Sequence, residues 1–280
     1  MKVKISNDSI GFKFEFKMSI NNKLVTFAQN DLVLSHNETE REKIKASIGQ
    51  LEKVLKDKFG SNIKEFIRFG SFTRNTILPR KYDPESDVDL MVIFNTSTDR
   101  KTPGTYRKWL LDVVTAAYPN SVSQKDFPAI KLLLNHIMFD IVPAYCEEYF
   151  IGGKSYHIPS SNDNWRSTVP NHINNSLASK NTEYGNNVIR NTIRLCKHWN
   201  AGAGYPLESY LMEKDIINLT YWGNEDTYER FLKSLNSIAG NRPGVKQALD
   251  YIQKYKGNWS QQANETKQYE WLQKLLPGLK

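Results

Sequence analysis

Apolar residues recur at intervals of three and four from about Glu38 to Phe59. Ile44, Ile48, Leu51, Leu55 and Phe59 fall on one side of a helix, and Gly60 follows as a stop. A short strand fits Glu65–Phe69; it runs into Gly70-Ser71 and a polar turn from Phe72 to Thr76. After a loop rich in proline and charge (78–86), the pattern changes to alternation over Asp87–Phe94. Val88, Leu90, Val92 and Phe94 share one face of that strand, and Asp87, Asp89, Met91 and Ile93 share the other. Helical spacing returns in Tyr106, Leu110, Val113 and Ala117, predicting a helix over 106–118. A hairpin is expected next, pairing 129–134 with 137–142 through a tight turn at Asn135-His136.

The second half is helical in spacing, near 184–200, 209–219, 227–238, 244–255 and 262–276, with Gly240 and Pro277 where helix ends are expected. A helix, a mixed sheet with one helix, then a run of helices predicts an α+β chain, a mixed-sheet lobe backed by a helical C-terminal lobe. The expected division is an N-terminal arm over 1–37, the sheet lobe over 38–160 and the helical lobe over 161–280. Residues 1–30 read as ragged β-prone pieces of weak order. The segment before Met18 matches nothing recognisable, and Met18 is an alternative start. The stretch 151–181, rich in Ser, Asn, Gly and Pro, reads as the connection between lobes, and the helix at 38–59 is expected to brace both.

Composition narrows the class. Of 280 residues, 39% are hydrophobic and 24% charged, with 15 Gly and 11 Pro, which excludes collagen-like and wholly disordered chains. Thirteen Phe, 14 Tyr and 6 Trp supply the mass for a core without staples. Two cysteines, Cys146 and Cys196, are too few for a disulfide framework or a zinc site, and read as small buried hydrophobes in a reducing compartment. No apolar run approaches the ~20 residues of a membrane span, and the N-terminus lacks a secretory signal, so a cytoplasmic chain without membrane contact is expected. The net charge of +8 favours an anionic partner without separating nucleic acid from free nucleotide.

The informative oddity is a pair of acids, Asp87 and Asp89, on one face of an otherwise apolar strand. They lie about 7 Å apart along the strand, repel each other, and belong to a residue type depleted in strands. Asp140 repeats the anomaly inside Ile137-Met138-Phe139-Asp140-Ile141-Val142. Buried unpaired carboxylates cost several kcal/mol, so such sites persist where a cation compensates them. If the two strands are neighbours, the three acids converge, and hard oxygen ligands with open positions suit Mg²⁺ or Mn²⁺. Gly70 lets backbone approach a ligand closely, and the Ser71 hydroxyl with the amides entering the following helix would face a phosphate, helped by the helix dipole. Arg74 and Arg194 have two readings, neutralisation of a phosphate and, more commonly for such residues, a surface ion pair. His136, His157, His172 and His198 lack metal-ligand spacing and read as structural or solvent-facing.

The stretch R-F-G-S-F-T-R-N-T-I-L-P-R-K-Y-D-P-E-S-D-V-D-L-M-V-I-F resembles the polymerase-β-type nucleotidyltransferase signature. L-N-H-I-M-F-D-I-V-P-A-Y, I-P-S-S-N-D-N-W-R-S-T-V-P-N-H, I-R-L-C-K-H-W-N and S-Y-L-M-E are similar to the bacterial CD-NTases, relatives of cyclic GMP-AMP synthase and the 2′-5′ oligoadenylate synthases. The resemblance covers roughly 38–219. It implies a metal-dependent enzyme that condenses nucleoside triphosphates into a cyclic di- or trinucleotide second messenger, with release of pyrophosphate, in anti-phage signalling. It implies that Asp87 and Asp89 bridge two Mg²⁺ ions, with Mn²⁺ as the alternative, and that Asp140 holds the ion that activates the attacking hydroxyl. Gly70 and Ser71 would hold the β- and γ-phosphates, Lys197 and Ser209 would contact the triphosphate, and Tyr210 would stack on the base. An activating RNA, peptide or protein and a downstream effector that senses the product are the implied partners. The zinc-binding insert of the animal DNA sensor has no counterpart here. Two other readings stand beside this one: transfer of a nucleotide to RNA, an antibiotic or a protein, and a non-catalytic relative that only binds nucleotide or RNA.

Overall fold

A computed structural model describes residues 19–34, 38–96, 99–150, 152–185, 187–256 and 261–280. The expectations for residues 1–18, Met18 included, lie outside the described residues.

Helix α2 (Glu38–Phe59) buries Ile44, Ile48, Leu51 and Leu55, the stripe its spacing predicts. Strand β1 (Ile63–Phe69) leads into a short helix, α3 (Gly70–Arg74), which ends on Asn75 in the left-handed conformation with φ 56°. Strand β2 spans Asp87–Phe94, as its alternation predicts. Helix α4 (Pro103–Ala117) starts on a Thr102 cap, whose side chain accepts from the Thr105 amide, and has Pro103 in its first turn. Strands β3 (Val122–Asp126), β4 (Ala129–Leu133), β5 (Met138–Glu148), β6 (Lys154–Pro159) and β7 (Trp165–Thr168) complete a seven-stranded sheet.

The path through the sheet is β1-β2-β5-β4-β3, and β6 joins the far part of β5 and carries β7. Only β2 and β5 run parallel; the other pairs are antiparallel, so the sheet is mixed. One face is covered by α2 and α4, where Val88, Leu90, Val92, Phe94, Phe139 and Ile141 join a single apolar core. On the opposite face, among the described residues, Met91, Ile93 and Ala144 form a small buried cluster.

The helical half comprises α5 (His172–Tyr184), α6 (Val188–Gly202), α7 (Ser209–Asn218), α8 (Thr227–Ala239), α9 (Pro243–Tyr255) and α10 (Gln261–Leu275). It packs around α6, buried along nearly its whole length, and α8 opens on a reciprocal capping box between Asp226 and Glu229.

Three expectations change. The arm is not β-prone where it is described. Ile20–Thr26 is a helix, α1, capped by Ser19, and Ile20, Leu24, Phe27 and Ala28 enter the core of the helical half. Those positions repeat at helical spacing, a signal that β-branched neighbours obscured. The segment 151–181 is more than a connection: it holds β6, β7 and most of α5. Both strands are half-buried without a continuous apolar face, so their alternation is weak. Nor do the buried residues of α2 brace both halves; they all belong to the core beneath the sheet.

Candidate active site

Between the sheet and the helical half lies a cleft of about 1080 Å³, slightly larger than the usual range for ligand pockets. Gly70, Ser71, Asp87, Asp89 and Asp140 line one side; Lys197, Ser209 and Tyr210 line the other. All eight residues singled out in the sequence therefore face one space.

Strand pairing brings the acids together. Phe69 of β1 stands opposite Asp89, and parallel register on the other side sets Asp89 beside Asp140 of β5. One carboxylate oxygen from each of Asp87, Asp89 and Asp140 lies within 4.8 Å of the others. Burial raises all three pKa values. Lys197 and Lys131 temper the rise at Asp87, and Asp83 adds to it. Asp89 is held well above the ordinary range by burial and then by the charges of Asp87 and Asp140. Asp140 is pushed up to about 7 by burial and then by Asp87, against the pull of Lys131.

Asp140 Oδ1 is buried with no hydrogen-bond partner. Three converging carboxylates, one with an orphaned oxygen, fit a divalent cation better than any protein partner beside them, and their hard oxygens suit a Mg²⁺-like ion. This arrangement makes stability depend on pH with a definite sign. The folded, metal-free protein keeps protons that the unfolded chain has released above about pH 4, so this contribution to stability is present below that pH. It is lost as pH rises toward the Asp140 value near 7. Calorimetry in chelator between pH 4 and 8 is expected to show Tm falling more steeply for the unaltered chain than for Asp140→Asn, with added divalent ion restoring Tm most at the upper end. Equal slopes for the two proteins would contradict it.

The turn that faces the acids is built for close approach. Gly70 has φ +72°, and a Cβ placed there would lie 1.7 Å from Asp89 Oδ2. Helix α3 is only five residues long, so the dipole expected behind Ser71 is short, and local amides remain as donors. The helical half grips this short helix. Arg190 Nε donates to the Arg74 carbonyl at 3.0 Å, and Arg194 Nη2 donates to the Asn75 carbonyl at 2.6 Å.

Arg74 and Arg194 are thus not surface ion pairs. Arg74 is buried, its Nε 2.8 Å from Oε2 of the buried Glu213. Arg194 is buried and spends its guanidinium on Asn75 and Asn191, its pKa lowered to about 10 by burial and then by Arg190. Lys197 is 6% exposed, with Nζ 3.5 Å from Glu213 Oε1. Tyr210 is 37% exposed on the cleft wall. Cys196 is fully buried and its thiol pKa raised by that burial, whereas Cys146 is only half-buried.

Of the four histidines singled out above, three are structural: His136 meets Ser47, His157 stacks on Tyr145, and His198 lies by the Pro277 carbonyl. His172 is different, since it lines the cleft with Nε2 3.1 Å from the Tyr210 hydroxyl. Sequence reasoning missed His172 and Glu213. The first lacked any spacing signal; the second ends S-Y-L-M-E, where its place on α7, four residues after Ser209, put it on the same helix face.

A parallel strand pair joins three carboxylates, a glycine turn is pressed against one of them, and the helical wall opposite carries cations. Residues 18–181 match the Second Messenger Oligonucleotide or Dinucleotide Synthetase (SMODS) domain, and the chain belongs to that family. It is 29% identical over 196 residues to a probable cyclic nucleotide synthase of Bacillus cereus, a match covering 57% of this chain and 58% of that protein. It is 25% identical over 226 residues to the CBASS oligonucleotide cyclase CdnC of Escherichia coli, covering 76% of this chain and 69% of that one. Among solved structures, Escherichia coli CdnC with ATP superposes with a TM-score of 0.64 at 15% identity, covering 94% of this chain and 98% of that one. The Bradyrhizobium diazoefficiens CD-NTase CdnG in complex with GTP gives 0.58 at 12%, covering 92% and 90%. The mixed sheet and helical half are thus the fold of bacterial CD-NTases.

Proposed function

We propose that the chain is a Mg²⁺-dependent nucleotidyltransferase that condenses nucleoside triphosphates into a cyclic di- or trinucleotide messenger. The observation that carries the reading is the convergence of Asp87, Asp89 and Asp140 in a cleft whose far wall holds Lys197. Family membership and the relatives' names as cyclic nucleotide synthase and oligonucleotide cyclase support it.

Asp87 and Asp89 would hold two divalent ions and Asp140 one of them; bound there, the ions supply charge stabilisation for the entering and leaving oxygens of an in-line displacement. Gly70 and Ser71 hold the β- and γ-phosphates, joined by Lys197 and Ser209, and Tyr210 stacks on the base. A ribose hydroxyl oxygen bonds to the α-phosphorus, the bond from that phosphorus to the bridging oxygen breaks, and pyrophosphate leaves. The hydroxyl proton passes to Asp140 or to water. Each further displacement adds one phosphodiester bond and releases one pyrophosphate, and the last of them closes the ring.

No described helix is long and apolar enough to cross a membrane. Escherichia coli CdnC has been solved in complex with HORMA, which favours a protein among the expected activators of this chain; a downstream effector in anti-phage signalling would read the product.

Incubation with labelled ATP, GTP, CTP and UTP and Mg²⁺ or Mn²⁺ is expected to give a phosphatase-resistant product whose mass identifies a ring. Bound nucleotide without product, with a partner protein supplied, would count against the reading. A linear product extended on an RNA primer would move the protein to the class that modifies RNA.

A further inference from the structure

Glu213 is 0% exposed, and it lines the cleft together with Arg74 and Lys197. Arg74 Nε reaches Oε2 at 2.8 Å, Thr76 Oγ1 lies 3.0 Å from both oxygens, and Lys197 Nζ stands 3.5 Å from Oε1. Arg74 and Thr76 follow the Gly70-Ser71 turn; Lys197 and Glu213 come from α6 and α7. One carboxylate thus binds two cations from opposite sides of the cleft. Burial opposes its charge, but Lys197, Arg74 and the Thr76 hydroxyl hold the Glu213 pKa below the usual carboxylate range. The geometry of Lys197 is looser than that of Arg74. The arginine and threonine bonds are short and fix the carboxylate, whereas 3.5 Å is a charge contact that leaves the ammonium able to donate toward the cleft. Lys197, Gly70 and Ser71 line the same cleft.

We propose that Glu213 is a positioning residue for the nucleotide polyphosphate: anchored by Arg74 and Thr76, its carboxylate aims the Lys197 ammonium at the phosphates held by the Gly70-Ser71 turn. The inference rests on the nucleotidyltransferase reading above. It assigns Glu213 an effect that passes through Lys197 and one ligand group. A merely structural ion pair would instead weaken all binding alike.

Affinities for four α,β-methylene nucleoside triphosphates, which cannot react, are measured with Mg²⁺ on the full chain. Glu213→Gln is expected to weaken the best ligand about tenfold, and Glu213→Asp to recover part of that loss, because it keeps the charge. In a Lys197→Ala background the same Glu213→Gln change is expected to cost less than twofold. Thr76→Val loosens the carboxylate without altering any charge; it is expected to cost about threefold and to depend equally on Lys197, and it carries the test if Glu213→Gln does not fold. Equal losses with and without Lys197, or no loss at all, overturn the role of Glu213. An unaltered chain that binds none of the four overturns the underlying functional reading, and this role with it.

Discussion

Asp89→Asn is expected to lower nucleotide condensation by at least about three orders of magnitude, because charge stabilisation of the reacting oxygens depends on the ions that this carboxylate would hold. The same change is expected to stabilise the metal-free protein. Asp89 carries the greatest electrostatic burden of the three acids: it is half-buried, its pKa is raised well above the usual range by burial, and Asp87 and Asp140 add to that rise. An amide of the same shape removes the repulsion and keeps hydrogen-bonding capacity, a gain on the order of 1–3 kcal/mol near neutral pH. Loss of activity together with a higher Tm in chelator is the signature of a functional acid placed at the expense of stability. A variant that loses activity because it unfolds would instead make Asp89 a structural residue. Added Mg²⁺ should raise the Tm of the unaltered protein and leave the variant nearly unmoved.

Gly70→Ala is expected to damage the same centre from the backbone side. The glycine sits at φ +72°, where an L side chain costs about 1–2 kcal/mol. The added carbon would also lie 1.7 Å from Asp89 Oδ2 and 2.6 Å from its Cγ, so the carboxylate must move. Displacing a carboxylate that would hold the ion is expected to weaken ion binding by about 10–100-fold or more, with turnover falling at least in parallel. Gly185→Ala is the control. That glycine has φ +73° at the end of α5 with nothing within 4 Å of the added carbon. It should show the backbone cost in Tm and retain ion binding. If both variants bind the ion as the unaltered chain does, the close approach of Gly70 to Asp89 has no functional weight.

Much of this centre was readable in the chain because its oddities are local. Alternation over Asp87–Phe94 separated the faces of β2: Val88, Leu90, Val92 and Phe94 enter the core beneath the sheet, while Met91 and Ile93 join the cluster on the cleft side. Acids on that second face violate burial rules within eight residues, and no partner strand is needed to notice it. Strands with one solvated face were harder. Strand β3, Val-Ser-Gln-Lys-Asp at the sheet edge, is largely exposed and gives no alternation to detect. Helix α1 was missed for a different reason, since its four core positions were read against a β-prone composition.

By itself the sequence determined the local elements: the helical stripes of α2 and α6 to α10, the alternation of β2, and three carboxylates too costly to bury without a cation. Periodicity reports only how a segment meets a surface, so it says nothing about which surface that is. Tertiary structure decided that β2 and β5 run side by side in parallel, with Asp89 beside Asp140. It also decided that Glu213 meets Arg74 across 139 positions of chain. Those pairings are set by the packing of two cores against each other, and the free energy that selects them belongs to the whole fold rather than to any window along it.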